Sequence, residues 1–242
     1  MVHTALRTTL VLTLTACLAT PALAADDAKW GGSAALAVLT ASGNSSTQSG
    51  SVKLEAARER KAHDRITLKA GGIYSRSDGN DTAESANTSG QYDYFHTEDT
   101  YSLYSLLVEH DAFAGFDYRV TGRVGVGHQF IKTENDQLDG EAGLDYVYEY
   151  AHPDEDNFSV GRLYGKWNHT FRKGLTFTQD FELLENLEQR SDLRVNTLTA
   201  LEVALTTHLS LKTSLTVNYD NEPTERKKTT DTYTATALVV TY

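Results

Sequence analysis

The chain has a single cysteine, Cys17, and it falls within the first two dozen residues. If a leader is removed after Ala24, no thiol remains, which excludes a disulfide framework and any thiolate chemistry. Proline is equally scarce: Pro21, Pro153 and Pro223 are the three present. Positive charge is the minority sign, with 22 Lys and Arg against 33 Asp and Glu and a formal net charge of -11. That balance argues against nucleic acid as a partner, since phosphate binding requires a basic surface. Long apolar runs are missing as well. Beyond Thr20 no stretch approaches the ~20 apolar residues that a membrane helix requires.

What is present begins with an export signal. Arg7 supplies a basic start, Thr8 to Thr20 are rich in Leu, Val, Ala and Thr, and Pro21-Ala22-Leu23-Ala24 ends the run. A basic start, a short apolar core and an Ala-x-Ala end describe a secretory signal peptide. Residues 1–24 are therefore expected to be removed, leaving 25–242 as one domain. Leu14-Thr15-Ala16-Cys17 also resembles a lipoprotein box, in which Cys17 would be lipidated and kept. The Ala-x-Ala site is the better placed of the two.

The mature sequence is rich in Thr, Tyr, Val and Gly and repeatedly alternates with period two. In the run from Arg119 to Phe130, Val120, Val124, Val126 and Phe130 share one face. Arg119, Thr121, Arg123 and Gln129 share the other. A strand separates such sets, whereas a helix spreads them round its circumference. Twelve segments read this way: 30–41, 48–59, 65–76, 86–95, 100–110, 117–132, 137–151, 158–171, 175–185, 193–205, 209–220 and 231–242. Alternate connections are expected to be long and short, and segments of ~9–11 residues suit tilted membrane strands. The fold class expected is all-β: a single up-and-down antiparallel transmembrane barrel of about twelve strands.

Aromatic residues mark the strand ends. Trp30, Phe95, Tyr101, Phe130, Trp167, Phe171 and Tyr242 fall toward the short-turn side, where amphipathic rings would meet the lipid–water interface. Tyr74, Phe113, Phe116, Tyr118, Tyr148, Tyr150 and Phe158 fall toward the opposite side. The chain ends on Tyr242, with Val240 and Leu238 on its face, a pattern resembling the signal read by barrel-insertion machinery.

Several short runs carry a family resemblance: Trp30-Gly31-Gly32-Ser33-Ala34, Ser42-Gly43-Asn44-Ser45, Tyr92-Asp93-Tyr94-Phe95 and Glu109-His110-Asp111-Ala112-Phe113. Asp117-Tyr118-Arg119, Gly125-Val126-Gly127 and Tyr219-Asp220-Asn221-Glu222-Pro223 extend it over the mature chain. In this order they resemble the YdiY-like, salt-induced outer-membrane protein family, a domain of unknown function. The resemblance implies an outer-membrane barrel and a link to salt stress. It implies no substrate or activity.

The face opposite the apolar one carries charges of both signs. Arg119, Arg123, Glu141, Asp145, Arg162, Lys166, Asp180, Glu182, Arg194, Glu202 and Lys212 are expected to form a lumen charge network. Lys53, Glu55, Lys69, Asp93 and Glu149 share that face. Each charge would cost ~2–4 kcal/mol if it met lipid at mid-depth, so they should point inward. The function expected is envelope integrity under salt or osmotic stress, with a packed or narrow lumen. A narrow diffusion channel for ions or small polar solutes is the first alternative. An outer-membrane hydrolase using His110 and a soluble periplasmic ligand-binding barrel are two others. No cofactor or metal is expected. The acidic runs Asp78-Gly79-Asn80-Asp81 and Asp154-Glu155-Asp156 fall short of a calcium loop. Expected partners are outer-membrane lipid, lipopolysaccharide and the insertion machinery, for a monomer that binds no nucleic acid. Glu225-Arg226-Lys227-Lys228 is the basic stretch that would reach lipopolysaccharide phosphates.

Overall fold

Twelve strands follow one another along the chain in the computed structural model, which describes residues 29–41, 47–60, 63–113, 116–151, 153–223 and 228–242. The expected leader with Cys17, the Ser42–Ser45 motif, His152 and Glu225–Lys227 lie outside these residues. The first six strands are β1 (Trp30–Ala41), β2 (Thr47–Arg60), β3 (Asp64–Ser77), β4 (Asn80–Phe95), β5 (Thr100–Asp111) and β6 (Phe116–Lys132). The rest are β7 (Asp136–Ala151), β8 (Asp154–Arg172), β9 (Leu175–Asn186), β10 (Leu193–Ala204), β11 (Leu209–Asp220) and β12 (Thr230–Thr241). Each pairs antiparallel with its neighbours in sequence, and β12 returns to β1, so the sheet closes into a barrel.

Register carries the sequence alternation round the barrel. Arg123 stands opposite both Ser105 and Asp145, and Val124 opposite Tyr104 and Leu144. Like faces therefore meet across each junction, which sorts polar residues inward and apolar residues outward. Leu106, Val124, Leu144, Leu163 and Phe181 are all exposed on the outer wall. Buried side chains lie inside, and two groups of apolar ones pack together: Phe95 with Tyr101 and Leu103, and Val147 with Phe158 and Val160. A ligand-binding barrel of the soluble kind would need an apolar interior and a polar exterior, and this polarity is the reverse.

Two connections differ from expectation. β4 begins at Asn80 rather than at 86, because Asp78 and Gly79 have φ of 48° and 83° and make a tight turn with both central residues left-handed. Such turns match strand twist and let a hairpin continue. Beyond the turn, Asp81 Oδ1 accepts hydrogen bonds from Tyr74 Oη–H at 2.7 Å and Arg76 Nε–H at 2.8 Å, which holds polar residues in the ladder. β8 likewise begins at Asp154 rather than at 158. The alternation of long and short connections is reversed at these two places, where the strands themselves project farther, and it is level at 112–115, which is no longer than the preceding connection, 96–99. The far end is the one bearing these turns, and the terminal end holds Trp30 and Tyr242.

Candidate functional site

The lumen is where charge collects, and its shape is set by glycines. On β6 and β7, Gly125 and Gly143 face each other. A Cβ on Gly125 would lie 2.5 Å from the Ala142 carbonyl oxygen, and one on Gly143 2.7 Å from that of Val124. Two residues along, Gly127 lies beneath the Tyr101 ring, and any Cβ there would overlap it. These bare positions let long side chains from β5 and β8 lie across the wall and extend into the lumen. Gly127→Ala is expected to lower stability by about 1–3 kcal/mol through overpacking, read as a lower thermal midpoint of the detergent-folded barrel.

Across this floor runs a continuous polar network. Arg65 Nε–H donates to Asp93 Oδ2 at 2.7 Å, and Gln91 Nε2–H donates to Asp93 Oδ1 at 2.9 Å and Glu141 Oε1 at 3.3 Å. The Tyr101 hydroxyl donates to Glu141 Oε1 at 3.1 Å, and Arg162 Nη1–H to Glu141 Oε2 at 2.8 Å. Arg162 Nε–H reaches Glu182 Oε1 at 2.6 Å, and Asn196 Nδ2–H reaches Glu182 Oε2 at 3.1 Å. Arg123 holds Asp145 through two hydrogen bonds of 2.8 and 2.7 Å and lies 3.8 Å from Glu182. The side chains of Arg162 and Glu141 are only 5% and 6% exposed. Charges this deeply enclosed persist only when paired and hydrogen-bonded. The network runs over β3 to β10, and its Gln91–Glu141 and Arg123–Glu182 contacts each reach past two intervening strands.

The remaining expected lumen charges also face inward. Arg119 Nε–H donates to Glu149 Oε2 at 2.8 Å. Arg194 clasps Asp192 at 2.9 and 2.8 Å and lies 3.7 Å from Asp220. Lys212 stands 3.8 Å from Glu202, which also accepts from Ser210 Oγ–H. Lys166 is registered opposite Asp180, whose Oδ1 is buried and has no hydrogen-bond partner among the described residues. Not all eleven join one network. Lys166, Asp180, Glu202 and Lys212 form a separate, lysine-rich side of the lumen, and Arg119 and Arg194 sit nearer the far end.

Sequence reasoning missed several members. Arg65 shares the inward parity of Thr67 and Lys69, so alternation alone would have found it. Gln91 is uncharged, and Asp192 lies in a connection where period two gives no face. Cavities lie next to the network, which lends side chains to their walls. One of about 400 Å³ toward the far end is lined by Glu109, Phe116, Arg119, Arg194 and Asp220. One of about 310 Å³ below is lined by Arg65, Lys69, Tyr101, Tyr164 and Lys166.

The aromatic assignments require correction. Phe95 and Tyr101 are not interfacial. Tyr101 is 1% exposed, and both rings lie inside, 5.1 Å apart, with the Arg65 guanidinium 5.0 Å from the Tyr101 ring. Both occupy the inward parity of their strands, and ring chemistry alone gives no face. Phe116 and Phe158, read toward the opposite girdle, are likewise buried inside. Phe130, Trp167, Phe171 and Tyr242 are exposed on the outer wall, Phe130 at 63%. Trp30 is half-buried and registered opposite Arg58. At the terminal end Asp136 Oδ1 accepts from Trp167 Nε1–H at 3.1 Å and lies 2.7 Å from His169 Nδ1. Gln179, the polar break in the outer face of β9, accepts a 2.7 Å bond from the Thr199 hydroxyl.

Residues 34–242 match a family model described as a protein of unknown function, DUF481. The chain belongs to that family. No curated protein matches it in sequence. Two solved barrels share the fold of this DUF481 chain. The NanC porin aligns with TM-score 0.54 at 10% identity, covering 88% of this chain and 100% of its own. The translocator domain of the autotransporter NalP from Neisseria meningitidis aligns with TM-score 0.51 at 10% identity, covering 90% and 89%.

Proposed function

We propose that this DUF481 chain is exported, loses residues 1–24 and spans the bacterial outer membrane as a monomeric barrel. Its role is envelope integrity under salt or osmotic stress, not bulk solute uptake. The membrane assignment is supported by the exposed apolar belt and the polar interior, a polarity that only lipid outside and water inside make favourable. The stress role rests on the family resemblance. The observation that carries the restriction on uptake is the network from Arg65 to Asp145, because Gln91, Tyr101 and Arg162 converge on Glu141 from other strands.

A second reading, a narrow channel for ions, is favoured by the mixed-charge cavities on either side of that network. Liposome swelling and planar bilayers separate the two. Wild-type barrel is expected to pass no disaccharide. If ions pass, Arg123→Glu is expected to change their selectivity. Disaccharide passage at the rate of an open porin would overturn the restriction.

We assign the chain no catalytic role, cofactor or metal. A nucleophilic site needs a base oriented by a third group. His110 Nδ1–H donates to the Asp117 carbonyl, which supports a structural role. His96 bonds Ser102 and His128 bonds Thr100, and neither ring has a carboxylate partner among the described residues. Outer-membrane lipid, with lipopolysaccharide at the far end, completes the surroundings we propose. The insertion machinery would engage Tyr242, whose backbone pairs with Gly32 at 3.1 and 3.2 Å.

A further inference from the structure

Most strand junctions run nearly the length of their strands. β1 pairs β2 from Trp30↔Arg58 to Ala41↔Thr47, and β11 pairs β12 from Leu209↔Val240 to Tyr219↔Thr230. The closing junction does not. Among the described residues, β1 and β12 pair only from Ser33↔Thr241 to Leu36↔Leu238, with Gly32 and Tyr242 joined just below. Beyond that point both strands continue, β1 to Ala41 and β12 back to Thr230, each held on its other side alone. Val38 is consequently 82% exposed, and Thr230–Thr234 are exposed on both faces. Open sheet edges do not persist in hydrocarbon unless something covers them or they line a watery cavity.

The lumenal mouth of this parted seam is built. Lys53 on β2 is registered opposite Ala35, and Lys212 on β11 opposite Ala237. The seam parts immediately beyond Leu36 and Leu238, at Ala37 and Ala237. The two lysines thus flank the opening, with the apolar side chains of Ala35, Val239 and Ala237 between them. They border a cavity of about 580 Å³ that also takes in Lys69, Glu55 and Glu202. Glu202 lies near Lys212, whereas Lys53 has no carboxylate within 4 Å among the described residues. The slot itself is edged by Ala37, Val38 and Leu39 on one side and Ala235, Thr236 and Ala237 on the other.

We infer that the barrel binds a single-chain anionic amphiphile, its headgroup between Lys53 and Lys212 and its chain in the parted β1–β12 seam, and passes it laterally between lumen and outer leaflet. The inference rests on the membrane-barrel reading above. An ammonium pair suits a phosphate or a carboxylate. The largely apolar edges suit an alkyl chain, which gains from leaving water.

The test uses folded full-length mature barrel in zwitterionic nanodiscs, its fold checked by heat-modifiable migration, with binding measured calorimetrically. Dodecyl phosphate or dodecanoate is expected to bind saturably, and preference between them identifies the headgroup. Dodecanol and inorganic phosphate, each carrying half of the chemistry, are expected not to bind. Lys53→Gln with Lys212→Gln is expected to weaken binding at least tenfold. Ala237→Trp, or Ala235→Trp if the former does not fold, is expected to abolish it by filling the slot. Binding of dodecanol equal to that of dodecyl phosphate, or unaltered binding in the lysine or tryptophan variants, would overturn the inference and leave the barrel reading intact. Failure of the wild type to show a heat-modifiable form would count against the barrel reading itself.

Discussion

Arg162→Ala is expected to destabilise the barrel by about 3–5 kcal/mol, the range for removing one partner from a buried ion pair. Among the described residues, Arg162 is the cation that bonds both Glu141 and Glu182, at 2.8 and 2.6 Å. Its loss leaves Glu141 with the Tyr101 hydroxyl and Gln91 but no paired cation, and Glu182 with Arg123 at 3.8 Å. The effect is measured as a shift in the urea midpoint of detergent-folded protein. A companion variant, Arg162→Met with Glu141→Gln and Glu182→Gln, removes the charges together and is expected to recover most of the stability. Recovery separates uncompensated charge from lost packing, because the buried carboxylates and not the missing guanidinium carry most of the cost. Both variants open the middle of the lumen. Both are therefore expected to raise ion conductance several-fold over the wild type, whatever their stability.

Val124→Arg is expected to cost about 2–4 kcal/mol, the range for a cation on the lipid face near mid-depth. Val124 lies midway along β6 and is exposed on the outer wall. In water such a substitution on an exposed site would change stability little. The size of the effect thus reports the surrounding solvent more than any contact inside the protein. Asn196→Lys is the matched control, since it places a cation on the inward face beside Glu182. It is expected to fold with near wild-type stability in the same lipid. Equal costs for the two would mean that the outer wall does not face hydrocarbon.

Much of the fold was legible because period two is a direct consequence of strand geometry. The alternation of Arg119, Thr121 and Arg123 with Val120 and Val124 fixed both the element and its faces. Arg123 and Asp145 were placed on the same inward side by that reasoning, and they are directly opposite in register. What stayed hidden depends on pairing across distance. Gln91 and Glu141 are separated by 50 residues, and nothing local couples them. Tyr101 and Phe95 were misplaced because an aromatic at a strand end suits either a lipid interface or a lumen that has room for it. The room is made by Gly127 on the neighbouring strand. The tight turn at Asp78-Gly79 looked like loop composition, because Asp and Gly favour both a long loop and a left-handed hairpin turn. The short β1–β12 junction leaves no sequence mark, since both strands alternate normally to their ends.

The most direct test of the central claim, a membrane-spanning barrel with a bridged lumen, is heat modifiability combined with membrane extraction. The mature chain, folded in detergent, is expected to migrate apart from its boiled form on cold gels. In cells it is expected to stay in the outer-membrane fraction through high-salt and carbonate washes. Release as a soluble periplasmic protein, with one mobility before and after boiling, would contradict it.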